Sequence, residues 1–278
     1  MLQLLIIFYL REIVGKEESI NINQKYISSL LSGKSFQDEN FPVASFIINK
    51  KTRNLVRIFY NFARMSDDIA DNSNLTQTTK LRILNFIDNS LKNESEGDIN
   101  IVNNVILHSK KKKFFKNYAR KLLIAFKLDA TKKRYKDWKE LINYCKYSAN
   151  PVGRFFVKLA YSNKNKLIKD DGILSASDSL CTSLQIINHL QDCKKDFINL
   201  NRIYLPISYF KKYSLNINVL KKSKSPQNFD KLKKEMVLNV EKNLENISYN
   251  LKKIEIWSLR KETLIILNIA KRLCYLLK

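Results

Sequence analysis

Turn-forming residues are nearly missing from this 278-residue sequence, which holds 5 Gly and 4 Pro. A β or α/β fold of this length draws more tight turns than that from those residues, so long helices are expected. Cysteine is as scarce: Cys145, Cys181, Cys193 and Cys274 form no C-x-x-C pair. Neither a zinc site nor a disulfide framework is indicated, and a reduced, cytoplasmic setting fits. The histidines are His108 and His189 alone, and neither is assigned a role. No segment reaches the roughly 20 apolar residues needed to span a bilayer. The run Leu2–Leu10 is far shorter, and it lacks the basic flank and small-residue cleavage site of a secretory signal. No dinucleotide-binding glycine pattern is visible.

What is there is hydrophobic (45%) and basic, with 50 Lys+Arg against 26 Asp+Glu and a net charge of +24. The length is ample for one large core. Such a charge invites an anionic partner: nucleic acid, an acidic membrane or a phosphorylated substrate. The lysines are spread along the chain, however, and no nucleic-acid-binding motif is visible, so no nucleic-acid role is assigned. Residues 1–34 read as an N-terminal extension and 35–278 as one all-α domain.

Helical patterns run over 52–71, 77–91, 116–127, 138–144, 152–161 and 175–200, with two more toward Lys278 broken near Trp257. Ser35–Asn40 reads as a turn, 93–104 as a polar connection and 211–230 as a loose one.

Two of these patterns carry chemistry. Around residues 53–71, Arg53, Arg57, Tyr60, Arg64, Asp67 and Asp71 share a stripe about 80° wide, with Asp68 at its edge. Most of the rest of the circumference is apolar: Leu55, Val56, Ile58, Phe59, Phe62, Ala63, Met65, Ile69 and Ala70. A surface helix is half polar; this one is expected to be buried, with its charged seam facing an enclosed polar space. Burying those charges is costly unless they are paired or bind ions. In the second pattern Gln185, Asn188, Asp192 and Asp196 share a stripe of about the same width. An ordinary amphipathic helix has a polar face too, so this stripe gains weight only beside the first. Both repeat Asp at i, i+4, which sets two oxygen ligands one turn apart on one face. Magnesium takes a few carboxylates together with waters and phosphate oxygens. Two such faces across a cleft suit a metal-held diphosphate, with arginines neutralising the remaining charge. A diphosphate so held is a good leaving group, and the resulting carbocation needs a dry, aromatic-lined cavity. Tyr60, Tyr144, Tyr147 and Tyr204 stand nearest the polar motifs and are the candidates for its walls.

These residues resemble the motifs of the squalene/phytoene synthase family. ARMSDDIAD (Ala63–Asp71) is similar to its first aspartate-rich motif and QIINHLQDCKKDF (Gln185–Phe197) to its second. YCKYSANPVG (Tyr144–Gly153) and RIYLP (Arg202–Pro206) fall where that family has a Tyr-Cys helix break and the segment after the second motif. The resemblance covers residues 36–278. Within the family, ENFPVASF (Glu39–Phe46) and SANPVG (Ser148–Gly153) look like the bacterial hydroxysqualene synthases of hopanoid biosynthesis.

The resemblance implies an isoprenoid synthase helical bundle with a central cavity. It implies conversion of presqualene diphosphate and water to hydroxysqualene and diphosphate, a water capture for which no NAD(P)H is expected. Two or three Mg²⁺ ions would act through the diphosphate, held by Asp67, Asp68, Asp71, Asn188, Asp192 and Asp196. Arg53, Tyr60, Arg64, Gln185, Asn188, Arg202 and Tyr204 would bind substrate; Tyr144 and Tyr147 would act with the aspartates in catalysis. Asn150 is read as a cap before Pro151. Partners would be a presqualene diphosphate synthase upstream, a squalene-forming reductase downstream, and the membrane's inner face through peripheral contact. Head-to-head condensation to presqualene diphosphate, squalene or phytoene is the alternative activity. A non-catalytic assembly factor of this fold is a second, against which both intact aspartate motifs speak.

Overall fold

The computed structural model describes residues 21–33 and 50–278. The run Leu2–Leu10, the turn expected at Ser35–Asn40 and the segment Glu39–Phe46 lie outside the described residues. Among the described residues the chain is helical, with no β-strand and one isolated bridge, between Arg134 and Ile203. The helices are α1 (Gln24–Leu30), α2 (Lys50–Asp71), α3 (Gln77–Asn93), α4 (Asn100–Lys111), α5 (Phe114–Thr131) and α6 (Trp138–Ser148). They continue with α7 (Asn150–Asn163), α8 (Asp171–Leu200), α9 (Ile207–Lys212), α10 (Gln227–Glu245), α11 (Ile247–Lys252) and α12 (Trp257–Leu277).

Local chemistry sets the boundaries. The side chains of Thr76, Asp137 and Asp170 accept from backbone N–H groups in the first turns of α3, α6 and α8, which satisfies donors that have no partner within the helix. α8 ends where Asn201 takes a left-handed conformation (φ 49°), a role Asn fills at low cost.

Two expected connections prove more ordered. Helix α4 starts inside the segment read as a polar connection, because Val102, Val105 and Ile106 form a buried helical face that the surrounding asparagines disguise. The segment 211–230 holds the end of α9, a 3-10 turn at Ile217–Lys221 and the start of α10. Within the segment read as an extension, α1 buries Ile27 completely.

Two apolar clusters hold the bundle together. The first joins α1 to α5 with Phe155 and Leu159 of α7. Here Phe59 of α2 stacks on Phe155 at 3.8 Å, and Phe115 meets Phe155 edge-on at 4.8 Å. The second joins α6 and α8 to α12, with Val157 and Tyr161 of α7. Helix α7 therefore packs into both. At Gly153 it comes so close to α8 that an added Cβ would overlap Ser177 Oγ and Cys181 Sγ. Helix α2, expected to be buried round most of its girth, buries Leu55, Val56, Phe59, Phe62, Met65, Ile69 and Ala70, but Asn54, Arg57 and Asn61 are exposed, so the charged seam is not wholly enclosed.

Candidate active site

Helices α2 and α8 belong to different clusters and both line a cavity of about 510 Å³, a size that holds a large ligand. From α2 come Val56, Phe59, Tyr60, Arg64, Asp67 and Asp71; from α8 come Leu180, Leu184, Gln185, Asn188, Asp192 and Asp196. Along each helix the lining passes from apolar to acidic toward the C-terminus, over about 20–25 Å. The two acidic ends are tied together. Arg202, just past α8, donates from Nη1 to Asp71 Oδ1 of α2 at 2.9 Å. The remaining wall is largely apolar, with Phe126, Val152, Phe156, Val157, Leu259 and Ile266.

Charge is balanced unevenly at the acidic end. Arg64 pairs with Asp67, and its Nε lies 3.7 Å from Asp68. Burial, with the nearby charge of Asp192, pushes the Asp196 carboxyl up to about 7. That is the behaviour of a carboxylate lacking a full counter-charge.

Behind this end lies a buried polar network. Asp129, at the end of α5, accepts from the hydroxyls of Tyr144 (2.9 Å) and Tyr204 (2.7 Å). Arg202 donates from Nη2 to the Asp129 carbonyl at 2.7 Å and from Nη1 to the Tyr204 oxygen at 2.9 Å. Burial pushes the Asp129 carboxyl up to about 6, against the opposing pull of Arg202 and the two phenols. The same burial lifts both phenols well above their usual value, so they stay neutral donors. Burial disfavours the Arg202 charge, but Tyr204, Asp129 and Asp71 outweigh it and hold the guanidinium protonated. His189 stacks on Tyr204 with centroids 3.6 Å apart, and burial, then Arg202, pushes its imidazole down to about 3.

Of the residues singled out from sequence, Tyr60, Arg64, Asp67, Asp71, Tyr144, Gln185, Asn188, Asp192, Asp196, Arg202 and Tyr204 share this cavity. Arg53, Arg57, Asp68 and Tyr147 are not among the lining residues. Asp68 instead accepts from the Ser32 backbone N–H at 2.9 Å, and Tyr147 packs half-buried against the second cluster. Asn150 does not act as the cap expected of it: Ala149 precedes the helix, and Asn150 Oδ1 accepts from the Thr182 hydroxyl at 2.8 Å. Asp129, His189 and Glu262 line the cavity without having been picked out. None of the three belongs to a repeated i, i+4 pattern of like residues, so no spacing flags it.

Magnesium fits these residues as a partner bound through substrate. Among the described residues no three His, Cys, Asp or Glu side chains are grouped closely enough for a closed metal site. Mg²⁺ needs no such cage; it is commonly held by one or two carboxylates with waters and phosphate oxygens. Asn188 Oδ1, on the same face as Asp192, is buried and has no hydrogen-bond partner. An open acceptor one turn from the Asp192 carboxylate suits an incoming cation or its water.

Comparison with known proteins bears on this site. The squalene/phytoene synthase family model matches residues 36–277. Three curated proteins named hydroxysqualene synthase are similar in sequence. That of Zymomonas mobilis is 42% identical over 66% of this chain and 60% of its own length. That of Rhodopseudomonas palustris is 45% identical over 64% and 59%. That of Sinorhizobium fredii is 36% identical over 87% and 80%. The chain thus spans about three fifths of the length of the first two. A squalene synthase from Alicyclobacillus acidocaldarius superposes with a TM-score of 0.73 at 20% identity, covering 90% of this chain and 91% of that one. A dehydrosqualene synthase gives 0.70 at 20% identity over 89% and 83%. These two likenesses establish the shared fold.

Proposed function

Because the chain belongs to the squalene/phytoene synthase family, we propose that it converts presqualene diphosphate and water to hydroxysqualene and diphosphate. One observation carries the reading: two i, i+4 aspartate pairs open onto the same end of a long cavity whose other end is largely apolar. Asp67, Asp71, Asn188, Asp192 and Asp196 would hold Mg²⁺ through the diphosphate, and the ions would neutralise the charge that develops on the leaving group. Arg64, already beside Asp67, turns its donors to the diphosphate oxygens as substrate enters.

Phe59, Tyr60, Phe126 and Phe156 line the space for the hydrocarbon. Aromatic side chains in such a wall favour a nearby cation over purely aliphatic ones, and the apolar lining keeps bulk water away. Tyr144 and Tyr204 reach this cavity as neutral phenols fixed by Asp129, positioned to orient the substrate near the departing group. The carbon–oxygen bond to diphosphate breaks, water forms the new carbon–oxygen bond, and one proton is released. This sequence consumes no nicotinamide. The substrate requires a prior condensation of two prenyl diphosphates, and the alcohol requires a later reduction to yield squalene. A product of that apolarity goes with peripheral contact at the membrane's inner face.

Diphosphate release from presqualene diphosphate, followed against Mg²⁺ concentration, tests the site. Release is expected to need Mg²⁺ and to vanish in Asp67→Ala and Asp192→Ala. Release that persists in either variant would remove the two-helix metal site from the account.

A further inference from the structure

Helix α12 has two working faces. Leu259, Glu262, Thr263 and Ile266 line the cavity. On the other side, Trp257, Ile265, Tyr275 and Leu276 are 57%, 49%, 67% and 62% exposed. At about 100° per residue these four lie within roughly 100° of arc, centred some 140° from the lining face. Lys261 and Arg272 fall inside the same arc. Lys261 Nζ sits 4.2 Å from the Trp257 ring centroid and the Arg272 guanidinium 5.0 Å from that of Tyr275. Between them Ile265, Asn268, Ile269, Arg272 and Leu273 frame a shallow, almost wholly apolar groove.

The charge on this helix is one-sided. It carries Arg260, Lys261, Lys271 and Arg272, with Lys278 just beyond, against a single acid, Glu262, which is buried on the cavity side. The flanking acids are already paired: Glu255 with Lys166 and Glu241 with Lys278, each at 2.7 Å. The solvent face therefore offers cations and large apolar or aromatic side chains with no exposed carboxylate of its own helix. Amphipathic helices that lie in a bilayer interface have this composition. Trp and Tyr settle at headgroup depth, and Lys and Arg reach back to the phosphates.

We propose that this face of α12 docks the protein on an anionic lipid surface. This docking deepens the peripheral contact of the proposed function, on which it rests, by assigning it to a surface that backs directly onto the substrate cavity. A hydrocarbon product leaving beside α12 would enter the bilayer rather than water.

Vesicle flotation of the full-length protein tests this, with phosphatidylcholine alone and with phosphatidylcholine containing phosphatidylglycerol. Binding is expected only with the anionic lipid, weakening as salt rises. Lys261→Glu with Arg272→Glu should lower the partition coefficient by about 30-fold or more, since each cation near such a surface contributes about fivefold. Trp257→Ser with Tyr275→Ser should lower it at unchanged charge. Far-UV circular dichroism and turnover of detergent-dispersed substrate, at residues outside the cavity, control for folding. Four results would overturn the proposal: equal binding to both vesicle types, wild-type binding by both double variants, loss of binding confined to a Leu5→Asp, Ile6→Asp variant, or a wild-type dimer in sedimentation that the Trp257/Tyr275 variant abolishes. Flotation reads out independently of product, so a missing hydroxysqualene activity would leave the surface standing, and failed flotation would leave the reaction standing.

Discussion

Replacing Asp129 by Asn separates stability from function at one buried carboxyl. Asp129 is 3% exposed and its carboxyl is pushed up to about 6, against 3.8 for an ordinary one. The folded protein thus binds this proton more tightly than the unfolded chain does. The stability it contributes is intact at low pH and is lost as pH rises through about 6. By pH 8 the ionised, buried carboxylate costs about 3 kcal/mol relative to its neutral form. Asn is neutral at every pH and nearly the same shape. It retains one acceptor for Tyr144 or Tyr204 and presents an amide N–H₂ to the other, a mismatch of about 1–3 kcal/mol. The Asp129→Asn variant should therefore be the less stable protein near pH 4 and gain on wild type by about 2.4 kcal/mol between pH 4 and 8. Urea unfolding at stepped pH reads this directly, with unchanged m-values as the check that the same surface unfolds. Turnover should move the other way, falling about tenfold or more as the two phenols lose their shared anchor. Asp129→Leu, which strands both phenols and, above about pH 6, also removes a counter-charge from Arg202, should cost about 3–5 kcal/mol at pH 8. A stability difference between Asp129→Asn and wild type that stays flat from pH 4 to 8 would refute the assigned carboxyl titration. Wild-type turnover in Asp129→Asn would refute the positioning role.

His189→Asn tests the stacked imidazole. Its value in the fold is pushed down to about 3 from 6.5, so the stability held by the neutral ring is present above pH 6.5 and is lost as pH falls below it. The advantage of wild type over the variant should shrink by about 1.4 kcal/mol per pH unit in that range, and a constant advantage would show that the ring is not buried neutral. Asp192→Asn removes a charge that helps hold the Asp196 carboxyl at about 7. In wild type, protons should compete with Mg²⁺ below about pH 7, and in the variant that competition should shift to lower pH even as overall Mg²⁺ affinity falls; an unmoved acid limb would dissociate Asp196 from the metal. Gly153→Ala pushes a methyl into Ser177 and Cys181, both of which line the cavity. Because those side chains can rotate, the loss of stability should be about 1–2 kcal/mol, with their movement into the cavity lowering turnover; thermal denaturation alongside kinetics checks both.

The sequence exposed what repeats along one helix. Scarce Gly and Pro announced helices, and the i, i+4 aspartates of α2 and α8 marked their own faces, since residues four apart share a side whatever the tertiary fold. Helix α2 was legible because its polar residues form one narrow seam in an apolar cylinder. Asp129 was not, because its partners Tyr144 and Tyr204 lie 15 and 75 residues away and no local spacing encodes that meeting. Glu262 was hidden for a related reason: it is the one acid in a basic helix, and only packing turns it inward. The pairing of Arg202 with Asp71, 131 residues apart, joins the two motifs in a way that neither motif contains. Asn150 misled because Asn before Pro is a common capping sequence, whereas here contact with Thr182 of α8 claims the side chain.

The most direct test of the reaction is to incubate the purified protein with presqualene diphosphate and Mg²⁺ in heavy-oxygen water, without NADPH, and to identify the product by mass spectrometry. Hydroxysqualene carrying the heavy oxygen, and absent in Asp67→Ala and Asp192→Ala, is the result predicted. No labelled alcohol, together with condensation of farnesyl or geranylgeranyl diphosphate by the same preparation, would contradict the proposed reaction.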